Sequence, residues 1–196
     1  MALIKIADPS DEPVTLAEAR LHLRMDAGNT AEDDLISALI KAAREQAEHT
    51  LGRALLAQTW EVVLDEFPGT DDAIELPMPD VLSVVSIKYV DTSQLEQTMD
   101  QADYALDSAA SPGWVAPAYG GQWPTDVLDS TNVVRVRFTC GYGAYAAQVP
   151  ESIRRWMLLQ VGAMYRAREA FAIGSSVAEL PGRFVAAMLD PHKVYR

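Results

Sequence analysis

The sequence predicts an α+β protein: a small bundle of about four helices with an antiparallel β insertion between the second and third helices. Three observations predict it. Apolar residues recur at helical spacing over residues 30–51 and again from residue 151 onward. Between these stretches the period shortens to two, in runs of β-branched and aromatic residues separated by Pro, Gly and Asp turn signals. A chain of 196 residues, 49% hydrophobic and 22% charged, is also long enough for one domain carrying a sizeable insertion. The implied division is a helical part, 1–52 with 150–196, and a β-rich insertion over 53–149.

The first helix is expected within residues 13–25, PVTLAEARLHLRM. Thr15 followed three residues later by Glu18 has the form of a capping box, and Leu16, Ala19, Leu21 and Leu23 supply an apolar stripe. The second is expected over 30–51, capped by Thr30, with Glu32, Asp33 and Asp34 at its electropositive start. Leu35, Ile36, Leu39, Ile40, Ala43, Ala47 and Leu51 fall on one face, and Gly52 ends the helix. Strands are expected at 58–67, 74–77, 81–91 and 103–108, and residues 109–131 read as a loop anchored by Trp114 and Trp123. In 132–143, Val134, Val136 and Phe138 alternate with Arg135, Arg137 and Thr139, as in a half-buried strand. After Pro150 the helical period returns, with Ile153, Trp156, Met157, Gln160, Val161, Met164, Tyr165 and Arg168 on one face and Gly162 placed for a close helix contact. A Gly-Ser hinge at 174–178, a short helix over about 180–189 and an exposed basic tail, PHKVYR, complete the chain.

The formal net charge is -12 and the pI is near 4.6. Nucleic-acid surfaces must replace phosphate counterions, so this field disfavours general DNA binding. An acidic lining would instead let DNA pass without sticking. Residues 1–52 carry 5 basic and 10 acidic side chains, residues 53–149 carry 4 and 14, and residues 150–196 carry 7 and 4. Ends of opposite charge suit head-to-tail packing, and solubility alone is the other reading. The N-terminal MALIKIADPSDEP has no long apolar run, so neither a signal peptide nor a membrane anchor is expected.

Chemistry is sparse. His22, His49 and His192 stand far apart and outside any metal-binding spacing. Cys140 cannot form an internal disulfide, has no base beside it, and reads as a buried strand-end residue before a Gly141-Tyr142-Gly143 turn. Glu32, Asp33 and Asp34 occupy adjacent helix positions and diverge, which makes a poor metal cage. Arg154, Arg155, Arg166 and Arg168 give the third helix a basic face. These arginines fit either an acidic neighbour, such as the 32–34 cluster of an adjacent copy, or pairing within the chain with Glu151, Glu169 or the second helix. No catalytic, cofactor or metal residues are assigned.

The ordered series PVTLAEARLHLRMD, DDLISALIKAAREQAEHTLGRAL, QTWEVVLDEFP, IELPMPDVLSVVSIKYVD, YALDS, Trp123-Pro124, VRVRFTCGYG and VPESIRRWMLLQVGAMYRARE resembles the larger head–tail connector (adaptor) proteins of long-tailed phages and gene transfer agents, from about residue 13 to 190. The resemblance implies a structural, non-enzymatic virion protein without cofactors, assembled in the bacterial host cytoplasm. It implies a homo-oligomeric ring, commonly of twelve copies, under the portal protein, receiving the next neck or tail protein and passing DNA through its channel without sequence-specific binding. By the same resemblance His192, Lys193, Val194, Tyr195 and Arg196 form a portal-contacting tail. Residues 53–149 depart from the short all-helical connectors. The alternatives are another neck or tail-completion (stopper-type) protein, or a small ligand-binding domain.

Overall fold

The computed structural model describes residues 1–26, 28, 30–69, 72–167 and 187–194. The chain divides into two compact units, one made of Met1–Pro9 and Ala57–Gly143, the other of Ser10–Leu56 and Ala144–Arg196.

The first unit is all β. Its strands are β1 (Ala2–Ala7), β2 (Gln58–Leu64), β3 (Ile74–Leu76), β4 (Val81–Val90), β5 (Glu96–Thr98), β6 (Tyr104–Asp107), β7 (Gly113–Pro117) and β8 (Val134–Cys140). They form a five-stranded sheet in the order β1-β2-β8-β4-β5 and a three-stranded sheet in the order β3-β7-β6. Every pairing is antiparallel. The alternation read in β8 holds: Val134, Val136, Phe138 and Cys140 are buried, while Arg135 faces out and Arg137 and Thr139 are part-exposed. Opposite them, Val62 on β2 and Ile87 on β4 complete the buried layer. Full burial of side chains of this size contributes about 1.5–3 kcal/mol each.

The loop expected over 109–131 is corrected in part, because β7 pairs there with both β3 and β6. Of the two aromatic anchors only Trp123 is buried. Its ring stacks on Phe67 at 5.0 Å, and its Nε1 donates to the Asp72 carbonyl at 2.8 Å. Trp114 lies on β7, 37% exposed. Strand β1 has no counterpart in the sequence reading, which grouped residues 1–52 with the helices. Asp91 closes the β4–β5 hairpin: its carboxylate accepts from the amides of Ser93 and Leu95 and from Gln97 Nε2. The Leu95 amide first, then Gln97, hold that carboxyl below the usual range.

The second unit holds three α-helices among the described residues: α1 (Leu16–His22), α2 (Asp33–Leu51) and α3 (Glu151–Arg166). The fourth helix expected over about 180–189 lies largely outside the described residues, among which the class is α+β with three α-helices and antiparallel sheets. The capping box of α1 forms as expected, with the Thr15 hydroxyl accepting from the Glu18 amide and the Thr15 amide donating to Glu18 Oε2 at 2.8 Å. Leu21, placed on the apolar stripe, is 80% exposed, because two residues from Ala19 is nearly opposite on a helix.

Helix α2 starts later than residue 30. Thr30 contributes its carbonyl, to the Asp33 amide, and Glu32 occupies the cap without a side-chain capping bond. Ile36, Ile40, Ala43, Ala47 and Leu51 are its buried face; Leu39 is half-buried and Leu35 is exposed. Gly52 ends it in the left-handed region at φ 69°, where a side chain would be strained. On α3 the buried residues are Ile153, Trp156, Met157, Leu158, Val161 and Gly162. An added Cβ at Gly162 would stand 3.3 Å from His22 Nε2, which is the close contact expected of that glycine.

Beneath the helices lies a polar anchor. The Arg44 side chain is 1% exposed, with Nε on Glu12 at 2.9 Å and an Nη on Glu48 at 2.9 Å. Glu48 also accepts from the Leu55 amide at 3.1 Å. One guanidinium thereby joins the chain ahead of α1, the last turn of α2 and the buried run Ala54, Leu55, Leu56.

Candidate functional site

No group of three or more His, Cys, Asp or Glu that could hold a metal occurs among the described residues, and none of their helices is long and apolar enough to cross a membrane. Cys140 is free and buried at the end of β8.

The residues proposed as contacts between copies have specific surroundings inside their own chain. Arg154 directs Nε to the Pro13 carbonyl at 2.9 Å, one Nη to Glu151 at 3.0 Å and the other to Glu18. Its three donor positions thus fasten the start of α3 to the start of α1. Burial by itself raises the Glu18 carboxyl, but bonds from the Thr15 amide and hydroxyl and the charge of Arg154 outweigh it and hold the group below the usual carboxylate range. Arg155 pairs with Glu151 at 2.9 Å and remains 62% exposed. Glu32 accepts from the Tyr165 hydroxyl, and Asp33 lies 3.5 Å from Arg20 Nε. Asp34 and Arg166 are exposed. Burial, and then the positive fields of Arg166 and Arg155, lower the affinity of His22 for a proton. Arg168 lies outside the described residues.

The C-terminal segment, expected to be exposed, is held down as far as Val194. Leu189 is buried and leads into a short 3-10 turn, Asp190–His192. His192 Nε2 shares a hydrogen bond with Ser152 Oγ at 2.9 Å, and its carbonyl accepts from Arg53 at 3.3 Å. The Val194 amide donates to the Leu51 carbonyl at 3.0 Å, satisfying one of the orphan acceptors at the end of α2. Lys193 reaches back to Asp190 at 2.7 Å. The correction has a simple cause: a helix end needs donors, and the chain returning past it supplies them. Burial, followed by the charge of Arg53, lowers the pKa of His192. Tyr195 and Arg196 lie outside the described residues.

Two further surfaces belong to the β unit. On the outward side of the five-stranded sheet, Lys88 stands opposite Arg135, and Arg137 stands between Glu61 and Ser86. Arg137 is neutralised by Glu61, through Nε at 2.9 Å and an Nη at 2.8 Å, and Lys88 pairs with Glu96 at 2.6 Å. Lys88, by hydrogen bond and charge, and to a lesser extent Arg135 and Arg137, hold Glu96 below the usual carboxylate range. Ile4 on β1 and Leu82 and Val85 on β4 are 47%, 46% and 54% exposed. Tyr89 on β4 and Gln97 on β5 stand opposite each other and line a cleft of about 750 Å³ with Asp100, Asp103, Tyr119 and Asp126. Among the described residues no Lys or Arg lines that cleft. Burial, then Asp126 and Asp91, raise the Tyr89 phenol, and burial with Asp100 raises Tyr104. The sequence signal for the basic face was the alternation along β8; which strands lie beside it was not readable from that.

The profile of the family described as phage gp6-like head-tail connector protein matches residues 13–111. Three solved structures have a similar fold. A chain in "Neck of empty GTA particle computed with C6 symmetry" is 24% identical with a TM-score of 0.76, and one in "Virion of native gene transfer agent (GTA) particle" is 24% identical at 0.75. A chain in "Neck of native GTA particle computed with C12 symmetry" is 23% identical at 0.69. Each similarity covers 100% of this chain and 97% of the other. No curated protein sequence matches.

Proposed function

The chain belongs to the phage gp6-like head-tail connector family, and from that membership we propose that it is a structural component of the virion neck, one copy of a ring between head and tail. The single observation that carries this reading is the family match, which runs from α1 through both kinds of structure to the end of β6. The fold similarity to chains of neck particles, over essentially the full length of both partners, supports it. A ring of twelve copies is the assembly we infer, in keeping with the C12 symmetry named for one of those necks.

The working parts in this proposal are surfaces, and no catalytic role is assigned. The portal protein receives the C-terminal segment from His192 to Arg196. In that role the hydrogen bonds of His192 and Val194 hold the root of the segment on α3 and α2. The next neck or tail protein meets the opposite side. Contacts between copies draw on Asp34, Arg155 and Arg166, which are exposed, with Glu32, Asp33, Arg154 and Arg168 nearby in sequence. A net charge of -12 favours passage of DNA through the ring without adhesion. The β unit is an added module on the helical connector core.

The test is removal of the gene from a particle-producing strain. The proposal expects filled heads and free tails, with joining restored by the full chain supplied in trans. Normal joining without the gene would refute it.

A further inference from the structure

We propose that copies of this chain pack face to back through their β units, the outward sheet face carrying Lys88 and Arg135 of one copy seating on the Asp100/Asp103/Asp126 cleft of the next. The inference rests on the ring reading above and names a contact that builds the ring.

Charge distribution is the first ground. The β unit is strongly acidic, and its cationic side chains are Lys5, Lys88, Arg135 and Arg137. Three of the four gather on one sheet face, where Lys88 and Arg135 stand directly opposite each other in register. Like charges in that arrangement destabilise a sheet unless something outside neutralises them. Arg137 has Glu61 and Lys88 has Glu96, but Arg135 has no hydrogen bond or ion pair among the described residues. On the reverse side the cleft collects Asp100, Asp103 and Asp126 without a cation in its lining among the described residues. Asp100 spends one oxygen on the Ala102 amide, whereas the carboxylates of Asp103 and Asp126 make no hydrogen bond among the described residues. Each side lacks what the other has in excess.

Apolar area is the second ground. Ile4, Leu82 and Val85 are exposed on or beside the basic face, and Tyr119, fully exposed, stands at the acidic cleft. Exposed apolar groups ringed by charge are the composition of a protein interface rather than of a phosphate track. A duplex would also have to approach a chain of net charge -12 with only one cation on this face unpaired. Unlike surfaces on opposite sides of one sheet make a heterologous contact, the kind that propagates around a ring when the rotation closes.

Charge-swap rescue tests it, read by how much chain purified particles retain, with circular dichroism of the isolated chain as the folding control. Arg135, Asp103 and Asp126 are exposed, so the substitutions leave the fold intact. R135E and, separately, D103R/D126R should each lower retention roughly ten-fold. R135Q, which removes charge without adding repulsion, should fall between. R135E combined with D103R/D126R in one chain should restore retention, because every copy offers both surfaces. Full retention of both separate variants overturns the inference. So does a duplex-DNA mobility shift by the unaltered chain that R135E abolishes. Absence of the unaltered chain from particles would instead overturn the connector reading itself.

Discussion

Replacing Arg44 by methionine should destabilise the helical unit by about 3 kcal/mol. The guanidinium is 1% exposed and makes charge-assisted bonds at 2.9 Å to Glu12 and 2.9 Å to Glu48. Such bonds contribute roughly 1.5–3 kcal/mol each. The two losses differ in kind. The Glu12 side chain is 31% exposed and regains water when its partner goes, so its bond counts at the lower end. Glu48 is 13% exposed and tied to the Leu55 amide, so it regains little water and its bond counts at the upper end. Methionine fills most of the vacated volume and returns about 1 kcal/mol of apolar contact. The assay is urea unfolding followed by far-ultraviolet circular dichroism, which reports the helices. E48Q keeps the acceptor for Leu55 and should cost about 1–2 kcal/mol. The double variant R44M/E48Q should cost about the same as R44M alone, because the Arg44–Glu48 bond that E48Q weakens is already lost. Additive losses, or an R44M midpoint equal to that of the parent, would refute the claim that this guanidinium anchors the unit.

Trp123→Ala should cost about 3–5 kcal/mol, seen as an early loss of β signal on heating, since it removes the stack on Phe67 and the bond to Asp72. A loss under about 1 kcal/mol would mean the loop does not depend on that anchor. Deleting residues 190–196 should lower the helical unit's stability by about 1–3 kcal/mol, because the Leu51 carbonyl and Ser152 lose their partners; an unchanged urea midpoint would show the segment is idle. Acidification should act in two steps. His22 and His192 both titrate below the ordinary value of 6.5 when folded, so the unfolded chain takes up protons first, and stability present above that pH declines as pH falls below it. Glu18 and Asp91, also depressed, add a second decline as pH falls through the carboxylate range. H22Q should flatten the first step, and an identical pH profile would contradict the assignment.

Much of this fold was legible because its signals are local. The Thr15–Glu18 box, the Gly52 stop and the Val134–Phe138 alternation depend on neighbours within a few residues, and each appears where the sequence put it. Strand β1 was illegible because it is an edge strand exposed along most of its length, so burial leaves no alternating pattern in ALIKIA. Strand β7 was hidden among Pro and Gly turn signals, and its place is set by β3 and β6, which come from distant stretches. Leu39 shows the limit of a face read by period alone. It is in phase with the buried stripe of α2, yet it borders an apolar groove with Leu35 and Met164 and is only half-buried. The charged residues were hardest. A sequence gives Arg154 a helix and a sign, but whether its charge faces another copy or fastens Glu18 and Pro13 is decided by chain more than 130 residues away.

Electron microscopy of purified particles at a resolution that traces the chain is the most direct test of the central claim. The account predicts a closed ring at the head–tail junction, each copy presenting a β unit to its neighbour and its C-terminal segment to the portal. Intact, joined particles whose neck contains no copy of this chain would contradict it.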